Sequence, residues 1–370
     1  MTKMNALESL VIASFARGLS VRDVEAALAK ALGDQAAISR STVSAIRGQI
    51  EDEYQTRARR RRDGVKLDYL FLDASFFRMH PGSPAEPVLA AWGITTDGKP
   101  AFIGLAPGTG ESFGAWKDFL ADLRDRGLAS PLLIVSDGAS GLIGAIEQVY
   151  PKALRQRCVI YRCRNLLAKI PAGMQAEVKD AYWKIFDTED LKTPPGPKLV
   201  EIIDARIGDL AAKYQGIYPA AAKVLLTDRV GLAACLRFPA EHHHRIRHSG
   251  FVERTFGETR RRVRVIGRRP GETSCLTLVW AVLDRASRGW RGLTMTADGL
   301  RLLQDLRRSP LKPPRQLRPR TVTTAASADD PKLPAPSPNL IMKPGTAVQV
   351  LITQTCRSPR MSKVIVRRLR

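Results

Sequence analysis

Two apolar runs, each carrying an aspartate at or near its end, restrict this chain more than any other feature. Leu67-Asp68-Tyr69-Leu70-Phe71-Leu72-Asp73-Ala74-Ser75 reads as a buried strand, with Asp73 near its end. Pro131-Leu132-Leu133-Ile134-Val135-Ser136 is a second such run, ended by Asp137 and the turn residue Gly138. Leu142, Ile143, Ala145 and Ile146 follow at the spacing of a helix's buried face. In open α/β sheets, ligands bind just beyond the carboxyl ends of the strands, so Asp73 and Asp137 are candidate site residues. Taken singly, either could instead cap a helix or start a turn.

The surrounding pattern completes an α/β domain. Pro87 to Thr95 and Pro100 to Leu105 read as further strands, joined by the hairpin signal Asp97-Gly98. Ser112 to Arg126 has helical spacing through Phe113, Trp116, Phe119, Leu120 and Leu123. After the strand Leu132 to Val135, a fifth strand is expected over Arg157 to Tyr161 and a helix over Arg164 to Lys169. Hairpins first and crossovers later imply a mixed sheet with helices on its faces. Residues 171–240 carry no strand pattern: Val178, Tyr182, Trp183 and Ile185, then Leu199, Ile202, Ile203, Ile207 and Leu210, recur at helical spacing. This is read as a helical insertion, interrupted by Pro194-Pro195-Gly196-Pro197.

The ends differ from this centre. Residues 1–50 read as a small helical domain, with an apolar face of Leu7, Leu10, Val11, Ala13 and Phe15, a turn at Gly18-Leu19-Ser20, a helix over Val21 to Leu32 and a loop over Gly33 to Ala37. The next helix begins Ser39-Arg40-Ser41-Thr42 and exposes Arg40, Ser41, Thr42 and Arg47, which fits the recognition helix of a helix-turn-helix DNA-binding domain, with a bundle that only supports the next domain as the alternative. Residues 51–63, with Arg57-Ala58-Arg59-Arg60-Arg61-Arg62, read as a basic linker. The α/β domain is expected over 64–170 and 241–300, ending in a helix around Leu276 to Leu283 that Trp290 closes. Residues 301–370 are rich in proline and read as a flexible tail.

Charge identifies the partner. The net charge is +23 over 370 residues, which predicts a polyanion. Residues 301–370 hold 15 Lys or Arg against 3 Asp, so the remainder stays basic without them. Within His242 to Gly267 the acid Glu253, with Glu258 one turn further on, lies among cations that include Arg245, Arg247, Arg254, Arg260 and Arg261. Cations suit a phosphate backbone; an embedded carboxylate suits a hard divalent metal such as Mg²⁺, which takes oxygen ligands. Asp73 and Asp137 supply partner carboxylates, and such acids can hold two metals about 4 Å apart. The combination points to an enzyme that cuts or joins nucleic acid. Zinc is disfavoured: three adjacent histidines, His242 to His244, point in different directions, and no Cys pair has structural zinc spacing. The five scattered cysteines argue for a reducing cytoplasm. No apolar run reaches the roughly 18 residues of a membrane span, and the N-terminus has no apolar signal core.

Taken in order, these segments resemble the mutator-type transposases of bacterial insertion sequences. The matching motifs are Phe71-Leu72-Asp73-Ala74-Ser75, Val135-Ser136-Asp137-Gly138, Gln156-Arg157-Cys158 through Arg164-Asn165 to Pro171, and Arg245-Ile246-Arg247 through Glu253-Arg254 to Val265-Ile266-Gly267. The resemblance implies an RNase H-like fold and an Asp-Asp-Glu triad of Asp73, Asp137 and Glu253. It implies Mg²⁺ (or Mn²⁺) as cofactor, with Arg260 as a basic partner on the Glu253 helix face and Cys158, Tyr161, Arg164 and Asn165 in supporting positions. It also implies binding to terminal inverted repeats and target DNA, 3′-end joining by transesterification, assembly as a dimer or larger, and a place at the bacterial nucleoid. The chain departs from the family at Tyr161, where a histidine is usual and imidazole chemistry is lost. The alternative reading, a DNA-binding remnant or repressor that does not cut, takes its support from Tyr161, from the point at which the chain begins and from its C-terminal tail.

Overall fold

The computed structural model describes residues 14, 21–32, 40–80, 82–264, 271–287, 289–309 and 311. The expected face of Leu7 to Phe15 and the turn at Gly18 to Ser20 lie outside these residues, as do the 33–37 loop, Val265 to Gly267 and the tail from 312 onward. So do the side chains of Arg40, Ser41, Thr42 and Arg47.

The run that carries Asp73 becomes β1 (Leu67–Phe77), the middle strand of five. β1 pairs antiparallel with β2 (Glu86–Thr95), which pairs antiparallel with β3 (Pro100–Pro107). On its other side β1 runs parallel to β4 (Leu133–Ser136), itself parallel to β5 (Leu154–Arg157). The sheet is mixed, in the order β3-β2-β1-β4-β5. A central strand needs apolar residues on both faces, and β1 divides its side chains between two cores. Leu70 and Leu72 face one; Tyr69, Phe71 and Phe77 face the other. Period-2 alternation places Asp73 on the Tyr69-Phe71-Phe77 side.

The described residues form thirteen α-helices and five strands, beginning with α1 (Val21–Leu32) and α2 (Arg40–Arg59). α3 (Phe113–Asp125) and α4 (Ser140–Val149) cover the Leu70-Leu72 face, bringing Trp116, Phe119, Leu120, Leu142 and Ile146 onto it. α3 starts where Ser112 accepts a hydrogen bond from the Ala115 N–H, 3.2 Å away. The opposite face carries α5 (Val159–Leu167), α11 (Gly250–Arg264) and α12 (Glu272–Ser287). Residues 171–240 contain no strand. They form α6 (Gln175–Ile185), α7 (Pro197–Gln215), α8 (Pro219–Leu226) and the short α9 (Val230–Ala233), and α10 (Ala240–Ile246) leads back toward the sheet. No described helix is long and apolar enough to cross a membrane.

Three expectations are corrected. The fifth strand is Leu154–Arg157, and the stretch Val159 to Tyr161 opens α5 instead. The β-branched pair Val159-Ile160 suggested a strand, but Val159, Cys163 and Leu166 fall at helical spacing and are all buried. β5 itself reads Leu-Arg-Gln-Arg, with no apolar signal. It is buried because its polar groups find partners: Gln156 donates to the Leu232 carbonyl at 2.9 Å and accepts from the Cys235 N–H at 2.7 Å. Arg155 binds Asp228 with both guanidinium nitrogens, at 2.7 and 2.8 Å.

The basic linker is the second correction. Residues 51–59 continue α2, because Ile50 and Tyr54 pack inward and Arg57 reaches Asp284 on α12 at 2.9 Å. Arg57 is therefore held by protein, with its guanidinium over the Trp280 ring.

The third concerns residues 301–308, which were expected in the tail and belong to a helix. α13 (Ala297–Arg308) is capped by Thr296 and buries Leu303 and Leu306. Its Arg307 closes on Asp68 with three contacts of 2.6 to 3.0 Å, although Asp68 is completely buried and Arg307 about one-third exposed. Burial pushes the Asp68 carboxyl up, and Arg307 opposes that shift. Removing one partner of a buried pair strands the other charge. Arg307→Met is therefore expected to lower stability by about 3 kcal/mol in denaturant unfolding, with part of the loss recovered by adding Asp68→Asn. A loss below about 1 kcal/mol would show the pair to be incidental.

Candidate active site

The register of β1 against β4 builds the site. Phe71 pairs with Val135, so continuing two residues brings Asp73 level with Asp137, just past the carboxyl end of β4, while β1 runs on beside β2 to Phe77. Each carboxylate is steadied locally. Asp73 Oδ1 accepts from the Ala74 N–H at 2.9 Å, and Asp137 Oδ1 accepts from the Ala139 N–H at 3.0 Å. The turn after Asp137 depends on Gly138, whose φ is +83°. A Cβ there would also lie 2.6 Å from the Arg157 guanidinium. Arg157 is held in place by Asp228, which also binds Arg155.

Glu253 arrives from the other direction, on the first turns of α11. That helix docks through its aromatic residues: Phe251 meets Phe71 edge-on at 4.7 Å, and Phe256 meets Trp92 edge-on at 5.5 Å. Val252, Thr255 and Thr259 are buried alongside. The opposite stripe of α11, with Glu253, Arg254, Gly257, Arg260 and Arg261, lines a cavity of about 1220 Å³. Arg164, Arg245, Arg291, His244 and His248 line it as well, with Phe71 and Trp290 on its apolar wall. Burial and the neighbouring His244, Arg247, Arg254 and Arg245 push the His248 imidazole down to about 4.

Asp73 registers the crowding of acids. Burial pushes its carboxyl up to about 8; the Ala74 N–H opposes the shift, and Asp137, Glu253 and Glu111 add to it. Glu111, just before α3, is itself pushed up by partial burial and by Asp137. Sequence reasoning missed Glu111, which no motif marks. The Glu253 carboxylate accepts from Arg164 Nη1 at 2.7 Å, and the Arg164 guanidinium lies over the Tyr161 ring at 5.3 Å. Tyr161 feels both Asp73 and Glu253; burial first, then those two acids, raise its hydroxyl. In this arrangement no three His, Cys, Asp or Glu side chains among the described residues gather closely enough to hold a metal ion. The donor type nevertheless suits one: carboxylate oxygens, with Asp73 raised by burial and by its neighbouring acids, match a hard divalent cation.

The remaining expected residues separate. Arg245, Arg254, Arg260 and Arg261 converge on the cavity beside Glu253. Arg247 instead lines a second cavity of about 610 Å³ and lies over the Trp183 ring at 5.6 Å. The histidine cluster divides as well. His242 is buried between the Tyr69 hydroxyl and the Thr294 carbonyl, His243 contacts the Phe238 carbonyl, and His244 turns to His248. The Cys158 thiol is buried, which pushes it up. Asn165 is exposed on α5.

The sequence model described as "Transposase, Mutator family" matches residues 2–292. The chain belongs to the mutator family of transposases. It is 28% identical to the transposase for insertion sequence element IS6120 of Mycolicibacterium smegmatis, over 75% of this chain and 84% of that protein. It is 30% identical to the transposase for insertion sequence element ISRM5 of Rhizobium meliloti (strain 1021), over 82% of this chain and 72% of that protein. The transposase for insertion sequence element IST2 of Acidithiobacillus ferrooxidans is 29% identical, over 73% and 89% respectively. The family match thus spans the sheet, the helical insertion and α11.

In this mutator-family chain the Asp137 turn is the most easily broken part of the site. Gly138→Ala forces a left-handed backbone on a residue with a Cβ and drives that Cβ into Arg157. A loss of about 2 kcal/mol or more is expected in thermal or chemical unfolding. A variant as stable as the parent would show that Arg157 moves aside at little cost.

Proposed function

We propose that this chain is a metal-dependent DNA transposase of a bacterial insertion sequence, built on an RNase H-like catalytic sheet. The observation that carries the proposal is the register that brings Asp73 of β1 level with Asp137 past the end of β4, with Glu253 of α11 near enough to raise the Asp73 carboxyl and beside a groove of arginines. Asp73 and Asp137 would hold Mg²⁺ or Mn²⁺, and Glu253 would complete the set. Such an ion, when bound, polarises a phosphoryl oxygen and makes water or a 3′ hydroxyl a better nucleophile.

The chain's own residues then divide the work. Arg254, Arg260 and Arg261 face the groove and would fix the phosphate backbone through charge, independent of sequence. The apolar wall of Phe71, Phe251 and Trp290 keeps the floor of the groove rigid. Hydrolysis would break the bond between phosphorus and the 3′ oxygen at the element end, leaving a 3′ hydroxyl. That hydroxyl would attack a target phosphorus and displace a target 3′ oxygen, with no covalent protein intermediate. Reading of the terminal repeats is assigned to the N-terminal helices, through Arg40, Ser41, Thr42 and Arg47, as a helix-turn-helix. Acting on paired ends calls for a dimer or larger.

A second reading rests on Tyr161, which lies near enough to Asp73 and Glu253 to feel both and lacks an imidazole's acid-base capacity. It describes a protein that occupies element ends and does not cut them.

Cleavage and joining of DNA carrying the element's ends, with Mg²⁺ or Mn²⁺, separates the two. Asp137→Asn and Glu253→Gln are each expected to lower cleavage by about a thousandfold or more while end binding stays within a few-fold. End binding without any cleavage by the parent protein would favour the second reading; cleavage that survives Asp137→Asn would remove the triad. The groove is tested by ionic strength. Arg254→Ala and Arg261→Ala should each weaken binding on every sequence and flatten the log-log salt slope by about 1. An unchanged slope in both would place the DNA backbone elsewhere.

A further inference from the structure

The Arg164–Glu253 contact is a partly exposed ion pair of the kind that contributes little to stability. Arg164 is about half exposed, Glu253 about one-third, and they lie 89 residues apart on α5 and α11. α5 is fixed by buried Val159, Cys163 and Leu166, and α11 by Phe251 and Phe256, without help from the ion pair. Arg164 nevertheless reaches back over Tyr161 to the carboxylate at 2.7 Å. It also lines the same groove as Arg254, Arg260 and Arg261.

We infer that Arg164 is a positioning residue that holds Glu253 as an internal counter-ion until a phosphate backbone enters the groove, so that metal loading at the acids follows DNA binding. This inference rests on the proposed transposase reading. Two features of the site support it. Glu253 bonded to Arg164 does not join Asp73 and Asp137 in a three-donor cluster. A guanidinium lined up with other groove arginines has an alternative partner in a phosphate, which it can bind through two parallel hydrogen bonds. When DNA takes the guanidinium, Glu253 loses its partner and becomes available to a divalent cation. A half-exposed ion pair is worth at most about 1 kcal/mol, so the latch should change metal affinity by about fivefold.

The test is Mn²⁺ binding to the full chain without DNA, followed by electron paramagnetic resonance of free Mn²⁺. Arg164→Gln should bind Mn²⁺ about fivefold more tightly than the parent, and Arg164→Lys, which restores the charge, should return toward the parent value. With a saturating duplex present, and the duplex's own Mn²⁺ uptake subtracted, the difference between parent and Arg164→Gln should vanish. Equal affinities in the DNA-free proteins, or a difference that persists with DNA, would overturn the latch. Glu253→Gln keeps the two failures apart. If it weakens Mn²⁺ binding while Arg164→Gln changes nothing, only the latch fails; if it too changes nothing, the metal site fails and takes the latch with it.

Discussion

The edge-on packing of α11 against β1 and β2 is the interaction on which the site depends. Phe251 against Phe71 and Phe256 against Trp92 set the height and rotation of the helix. Aromatic pairs of this kind contribute about 0.5–1.5 kcal/mol beyond their buried area and have a preferred geometry. With one stripe of α11 committed to the sheet, the opposite stripe must face outward. That stripe carries Glu253, Gly257 and Arg260 at spacings of four and three residues. One docking event therefore brings an acid to Asp73 and a row of cations to the groove. The helical insertion between β5 and α11 lets the chain return to the sheet from the correct side.

The charge arrangement follows from this geometry. Acids gather where the pairing of β1 with β4 ends, and arginines gather along α11 and α5. Neither group is neutral by itself. Burial and three neighbouring acids raise Asp73, while the groove holds Arg164, Arg245, Arg254, Arg260, Arg261 and Arg291 against Glu253 and Glu258. A ligand that brings both negative phosphates and divalent cations answers both imbalances. Behind the acids, Arg155 and Arg157 share Asp228, whose φ of +54° is unusual for a residue with a side chain. Burial acts to raise the Asp228 carboxyl, and its arginine partners outweigh that, leaving it below its ordinary value. This cluster supports the Gly138 turn from below, so the position of Asp137 is tied to residues in the insertion.

What could be read from the chain was what local pattern encodes. The runs into Asp73 and Asp137 are strands because their apolar residues continue unbroken, and α11 was legible from its dense cations around Glu253. β5 was not, because a Leu-Arg-Gln-Arg strand is buried only through partners that arrive from residues 228 to 235. α13 was hidden behind the prolines that follow it, although Leu300, Leu303 and Leu306 have helical spacing and Thr296 caps them. Glu111 carries no motif, and its role depends on where α3 begins. The division of the histidines among core, groove and second cavity depends on the angle of α10, which no spacing rule supplies. The Arg164–Glu253 contact joins residues far apart in the chain and is visible only in three dimensions.

The central claim is that carboxylates from β1, β4 and α11 form one metal site beside a DNA groove. Anomalous diffraction from crystals of the protein bound to an element-end duplex and Mn²⁺ tests it most directly. The account predicts Mn²⁺ density in contact with Asp73 and Asp137, with Glu253 turned from Arg164 toward it and the duplex lying along Arg254, Arg260 and Arg261. Density at some other group of residues, or a duplex bound away from α11 with these acids free of metal, would contradict it.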